Sequence, residues 1–265
     1  MSKNIISQLF IYPIKGLAGI SVESAMVQEE GFQNDRRLML VDAEGKFISQ
    51  RTDARLAIFK TRINDDQLVV DYKEHTIEFS LNANEEQKIS STVWDDTVDT
   101  LEVSKKVSAW FSRLLERELR LVVREPNASR YKKLIKGPTQ TKVSFADGYP
   151  YLIIGTASLE ELNTKLERPV NIHRFRGNII VDTTEAHEED TWDKITVGDT
   201  QLEIIKPCAR CQVINIDQGT ADKSKEPLKT LATYRKQENK IYFGANSIAL
   251  KNGVIRVGDE IIKLA

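Results

Sequence analysis

Runs of β-branched and aromatic residues, each cut short by a glycine or a proline, occupy both ends of this chain and set its fold class. "NIISQLFIYPIKG" at 4–16 is strand-like until Pro13 and Gly16 interrupt it, and "RRLMLVDAEGKFISQRT" at 36–52 reads as two strands around a turn at Gly45. The front of the chain thus reads as a β-meander. "GNIIVD", "TQLEII", "QVINID" and "KIYFGANSIAL" repeat the strand signal later in the chain. "ITVGDTQLEI" at 195–204 and "IRVGDEIIKL" at 255–264 each set a Gly-Asp pair between two β-rich runs, which predicts two similar hairpins.

Helical spacing is rarer. Val107, Trp110, Phe111, Leu114 and Leu115 recur on one face behind a capping Ser104. Leu159, Leu162 and Leu166 follow Ser158 and Glu161 in capping-box spacing, and a short third helix starts at Glu226-Pro227. The polar stretch 82–100 reads as a loop or a weakly structured edge. The fold expected is mainly β with several helices (α+β): a β-barrel-like N-terminal domain over 1–122, then a helix-decorated β-barrel domain over 123–265.

Lys and Arg total 38 against 39 Asp and Glu, a net charge of −1, so no nucleic-acid partner is expected and any cationic site must be local. The N-terminus lacks the apolar core and cleavage site of a signal peptide. No run approaches the ~18–20 apolar residues of a membrane span, so no membrane partner is expected. Two cysteines in 265 residues make no secreted disulfide framework, which points to the cytoplasm.

Those two, Cys208 and Cys211, sit in "PCARC" with Arg210 between them. A thioredoxin-type dithiol opens a helix, whereas the flanks here are β-rich and Cys208 to Cys211 reads as a turn between strands. Structural zinc needs two further ligands, and His75, His173 and His187 stand far apart. A third chemistry is one thiolate ligand to a metal that an organic cofactor carries. Arg210 would then favour the thiolate or contact an anionic cofactor. The plain alternative is two packed thiols beside a solvated turn arginine. Further cations stand where strands begin or end: Lys15 before Gly16, Arg36 at the head of a strand, and Arg174 and Arg176 two apart on an extended face that Asn178 continues. Gly177 would let backbone approach a ligand, and paired guanidiniums suit a phosphate.

"YPIKGLAGISV" and "GFQNDRRLMLVDAEGKFISQR", followed by "FADGYPYLIIGTASLEELNTKL", "FRGNIIVD", "PCARCQVINIDQGT" and "VGDEI", resemble the MOSC family with its N-terminal β-barrel domain. The order is similar to that of amidoxime-reducing components and bacterial reductases of N-hydroxylated bases. The resemblance implies a molybdenum–molybdopterin cofactor, a single pyranopterin, with Cys211 as metal ligand and catalytic residue and Cys208 beside the site. It implies that Lys15, Arg36, Arg176 and Asn178 hold the pterin and its phosphate, with Arg174 alongside. Asp147 and Gly148 would line the pocket, Asp147 relaying protons or orienting the substrate, and Arg210 would lie close to the metal. Gly16 replaces a small polar residue of the reductases, so its contact can come only from backbone. The implied activity is reduction of N-hydroxylated compounds by an oxidoreductase. Electrons would come from a separate ferredoxin- or flavoprotein-type donor, since no cysteines remain for an iron–sulfur cluster in this chain. No PLP desulfurase domain is expected either. The alternative is a molybdenum-cofactor or sulfur carrier without reductase activity.

Overall fold

In the computed structural model, which describes residues 4–85 and 87–264, the apolar runs of both chain ends meet in one sheet. Asn4–Ile11 lies antiparallel between Ile179–Asp182 and Glu260–Leu264. From Glu260–Leu264 the sheet continues through Lys194–Val197, Thr200–Ala209 and Lys240–Lys251 to Tyr151–Gly155. That last strand also runs parallel to Ile179–Asp182, so seven strands close into a barrel without free edges. Ile6, Leu9, Tyr151, Ile153, Ile195, Leu202 and Ile261 fill it. Each such side chain contributes about 1.5–3 kcal/mol of hydrophobic free energy.

A second core forms around helix α1, Lys105–Leu115, whose buried Val107, Phe111 and Leu115 face Phe59, Leu40 and Leu121. It lies against the meander Lys60–Asn64, Gln67–Tyr72, His75–Ser80 and near a four-stranded sheet containing Leu38–Val41 and Arg120–Arg124. Helices α2, Thr156–Thr164, and α3, Leu228–Tyr234, cover one side of the barrel through Leu162 and Leu231. The architecture is therefore mainly β with three α-helices among the described residues.

Several local expectations fail for identifiable reasons. The stretch 82–100 holds the hairpin of Lys88–Val93 with Asp96–Glu102. Its inward face carries Ser91 and Thr100, both fully buried, whose hydroxyls bond each other at 2.7 Å, so polar composition hides the alternation. Ser158 caps nothing: α2 starts at Thr156, and the Ser158 hydroxyl binds the buried Glu189 carboxylate at 2.9 and 3.0 Å. The 195–204 hairpin forms, but its echo does not. Gly253–Arg256 pairs with Ser24–Gln28 while Glu260–Leu264 joins the barrel. Gly258 N–H donates to Ile6 O, and Asp259 O accepts from Ile6 N–H, so the first strand claims the turn's backbone. "QVINID" is also no strand, since Gln212–Asn215 is one 3₁₀ turn.

Candidate functional site

The site is built where the chain leaves the first barrel strand. Tyr12 and Lys15 follow it directly, and Lys15 N–H donates to Leu38 O at 2.8 Å. Arg36 N–H donates to Tyr12 O at 2.7 Å, while Arg36 O accepts from Phe145 N–H at 3.0 Å. Three distant segments, 12–15, 35–38 and 143–147, are thereby stitched together.

Tyr12 organises the cations. The Arg36 guanidinium lies 4.6 Å from its ring centroid and that of Arg176 4.4 Å, geometry typical of cation–π contact. Burial pushes the Tyr12 phenol up to about 12, against the pull of Arg176 and Arg36. The phenol donates to Gly177 O at 3.0 Å. Arg36 binds the fully buried Asp35 at 2.5 Å, Asn178 Oδ1 at 3.2 Å and Arg176 O at 3.2 Å. Burial opposes its charge most strongly, but Asp35, Tyr12 and Asp147 together outweigh burial and raise its pKa. Arg176 donates to Leu17 O at 2.7 Å and, among the described residues, pairs with no carboxylate. Burial brings it down to about 10, although it stays charged at neutral pH.

Lys15 is 5% exposed; its ammonium donates to Phe145 O at 2.7 Å and contacts Asp147 Oδ1. Burial lowers its pKa more than Asp147 raises it. Burial works against ionised Asp147, but Lys15, the Trp94 indole N–H and Arg36 hold its carboxyl well below the usual range. The Asp147 side chain nevertheless has 62% of its surface open. It is thus a persistent carboxylate suited to accept hydrogen bonds, which favours orientation over proton donation.

Arg210 closes the cluster on the barrel side, donating to Phe175 O at 2.6 Å and Cys208 Sγ at 3.3 Å; its Nε is buried with no partner among the described residues. Cys208, at the end of Thr200–Ala209, packs partly against the α2–α3 core. Cys211 caps the Gln212–Asn215 turn, is half-buried, belongs to no apolar cluster and makes no thiol hydrogen bond among the described residues. That turn packs on Ile172–Phe175, next to Arg176. The two thiols form no disulfide.

The structure brings Lys15, Arg36, Arg176, Asn178, Asp147 and Arg210 together, but not Arg174. The supposed extended face is a 3₁₀ turn, Ile172–Phe175, ended by Arg176 at φ +55°, so the two arginines diverge and Arg174 pairs with Asp217 at 2.8 Å. Gly177 serves packing, since a Cβ there would meet Ile154 Cδ1 at 2.8 Å. Asn178 spends its amide on Arg36 and on Phe10 O, so it orients an arginine. Gly16, at φ +91°, has its carbonyl bonded by Gln50 at 2.7 Å. Gly148 has open space around it. Sequence reasoning missed Tyr12, Asp35 and Trp94; a tyrosine abutting "PIKG" and a lone tryptophan in a polar stretch were the available signals.

Buried Lys15 and partly buried Arg36, Arg176 and Arg210 face the carboxylates Asp35 and Asp147, leaving surplus positive charge and, among the described residues, one guanidinium N–H of Arg210 without a partner. Such a donor set fits an anionic, phosphorylated ligand beside a half-buried thiol. Fold and site together define a β-barrel protein with a cluster of lysine and arginine side chains gathered around Tyr12. The chain belongs to the MOSC-domain family: residues 140–262 match the MOSC domain and 3–118 the MOSC N-terminal beta barrel domain. Mitochondrial amidoxime-reducing component 1 of Mus musculus is 32% identical, over 98% of this chain and 82% of its own. Its Danio rerio counterpart is 29% identical over 98% and 85%. The molybdenum cofactor sulfurase of Bos taurus is 30% identical over the whole of this chain, which spans 33% of that protein. No helix among the described residues is long and apolar enough to cross a membrane.

Proposed function

We propose that this protein binds a single-pyranopterin molybdenum cofactor through Cys211 and reduces N-hydroxylated compounds such as amidoximes and hydroxylamines. The observation that carries the reading is the surplus of positive charge that the partly buried Arg36 and Arg176 gather on Tyr12. Arg36 and Arg176, fixed on the ring, would hold the cofactor's phosphate; Arg210 Nε supplies a further donor. Cys211 would be the protein ligand, since Cys208 packs against hydrocarbon. When bound, the cofactor supplies a two-electron redox centre, and the net reaction R–NH–OH + 2e⁻ + 2H⁺ gives R–NH₂ and water. Asp147, kept ionised, orients the substrate through its free oxygen. Electrons come from a separate ferredoxin- or flavoprotein-type protein, and the names of the amidoxime-reducing relatives support the substrate class.

The test is benzamidoxime reduction, with an artificial electron donor, by protein produced in a host rich in the cofactor. Molybdenum-dependent formation of benzamidine supports the reading. Cofactor-loaded protein without turnover, carrying sulfane sulfur on Cys211, would replace it with the carrier function.

A further inference from the structure

Trp94 stands at the tip of the hairpin Lys88–Val93/Asp96–Glu102, first of the two residues between paired Val93 and Asp96. Its φ is +58°, the left-handed region that hairpins this short fill with Gly, Asn or Asp. A bulky residue there is an outlier that persists only when its surroundings impose it. Here they do. The indole Nε1–H donates to Asp147 Oδ1 at 3.1 Å, the ring meets the Phe47 edge with centroids 4.9 Å apart, and the Arg51 guanidinium lies 4.4 Å from its centroid. Asp96, two residues on, accepts from Arg130 at 2.6 Å and Lys132 at 2.8 Å, and Arg130 also donates to Ala146 O at 2.5 Å. The hairpin tip and the segment carrying Asp147 are tied together twice.

Both protein donors to Asp147, Lys15 and Trp94, converge on Oδ1. No donor among the described residues reaches Oδ2, on a side chain 62% open. We propose that Trp94 is a positioning residue: its indole N–H locks the Asp147 carboxylate so that Oδ2 stays free to accept an N–H from the substrate. The proposal deepens, and rests on, the reading of Asp147 as part of the reductase site. It also predicts a preference, among N-hydroxylated compounds, for those that carry an N–H beside the N–OH, as amidoximes do. Arg130, which ties the same hairpin independently, keeps the tip in place when the indole is lost.

The test compares wild type, Trp94→Phe and Trp94→Gly. Trp94→Phe keeps an aromatic ring and loses only the donor. In the cofactor-loaded protein it should raise KM for benzamidoxime about tenfold, the worth of one hydrogen bond to a charged group, with kcat within about twofold. KM for an N,N-dialkylhydroxylamine, which has no N–H, should not change. In the cofactor-free protein, NMR titration should find the Asp147 carboxyl pKa higher than in wild type. Trp94→Gly, which relieves the backbone, should show the same kinetic split with a Tm equal to wild type or higher. An unmoved Asp147 titration, or KM raised equally for both compounds, overturns the assignment. A wild type that reduces neither compound sinks the function proposed above, and the Asp147 titration alone then decides whether Trp94 holds that carboxylate.

Discussion

Lys15 separates what the fold favours from what the site requires. Its ammonium is buried, and burial lowers its pKa despite the Asp147 contact. Between the folded-state value and the ordinary 10.5 the unfolded chain binds more protons, so stability rises with pH through that window. Below the folded-state value the charged ammonium weakens the fold in full. Lys15→Met retains the stem against Phe47 and removes the charge. Asp147 is not stranded, because its side chain is largely open and keeps the Trp94 bond. Replacing a buried ion by an apolar group of similar volume gains about 1–4 kcal/mol. The lost bond to Phe145 O returns about 1 kcal/mol. The net gain is about 0–3 kcal/mol, or up to about 12 °C in Tm for a chain of this size. Thermal unfolding of cofactor-free protein reads the first effect; cofactor content after production in a cofactor-rich host should fall. A Tm lowered by several degrees would refute the reasoning, because the ammonium would then stabilise the fold and need no ligand to explain it.

His187 lies half-buried with Nε2 2.9 Å from Glu161, near Asp190, Arg235 and Tyr234; burial, then Arg235, lowers its pKa. The stability it confers is complete above 6.5 and lost as pH falls through its folded value, so His187→Gln should flatten Tm against pH between about 7 and about 5. An unchanged slope would place that pH sensitivity elsewhere, with His173 the next group to test. Gly45, at φ +79°, would set a Cβ 2.3 Å from Ser90 O, a backbone atom. Gly45→Ala should cost at least about 2 kcal/mol by denaturant unfolding, and a loss under about 0.5 kcal/mol would show that the turn can rearrange.

Composition made Asn4–Ile11 legible as a strand, because β-branched and aromatic residues dominate it, but not its partners Ile179–Asp182 and Glu260–Leu264, which lie some 170 and 250 residues away. Lys15, Arg36, Arg176 and Arg210 were legible as cations, and their convergence was not, since backbone turns aim them. Arg174 shows the limit: two positions from Arg176, it was assigned to the same face, and the left-handed backbone of Arg176 sends it to Asp217. Ser91 and Thr100 satisfy each other inside a sheet, so a strand pair, one of its strands at the sheet edge, read as a loop or a weakly structured edge. Trp94 owes its position to that unread hairpin.

The most direct measurement is X-ray absorption at the molybdenum edge of cofactor-loaded protein, which counts the sulfur atoms bound to the metal. Three are expected in wild type and in Cys208→Ala, and two in Cys211→Ser. A Cys211→Ser variant that keeps the wild-type count, or a Cys208→Ala variant that loses a sulfur, would contradict the assignment of Cys211 as the protein ligand.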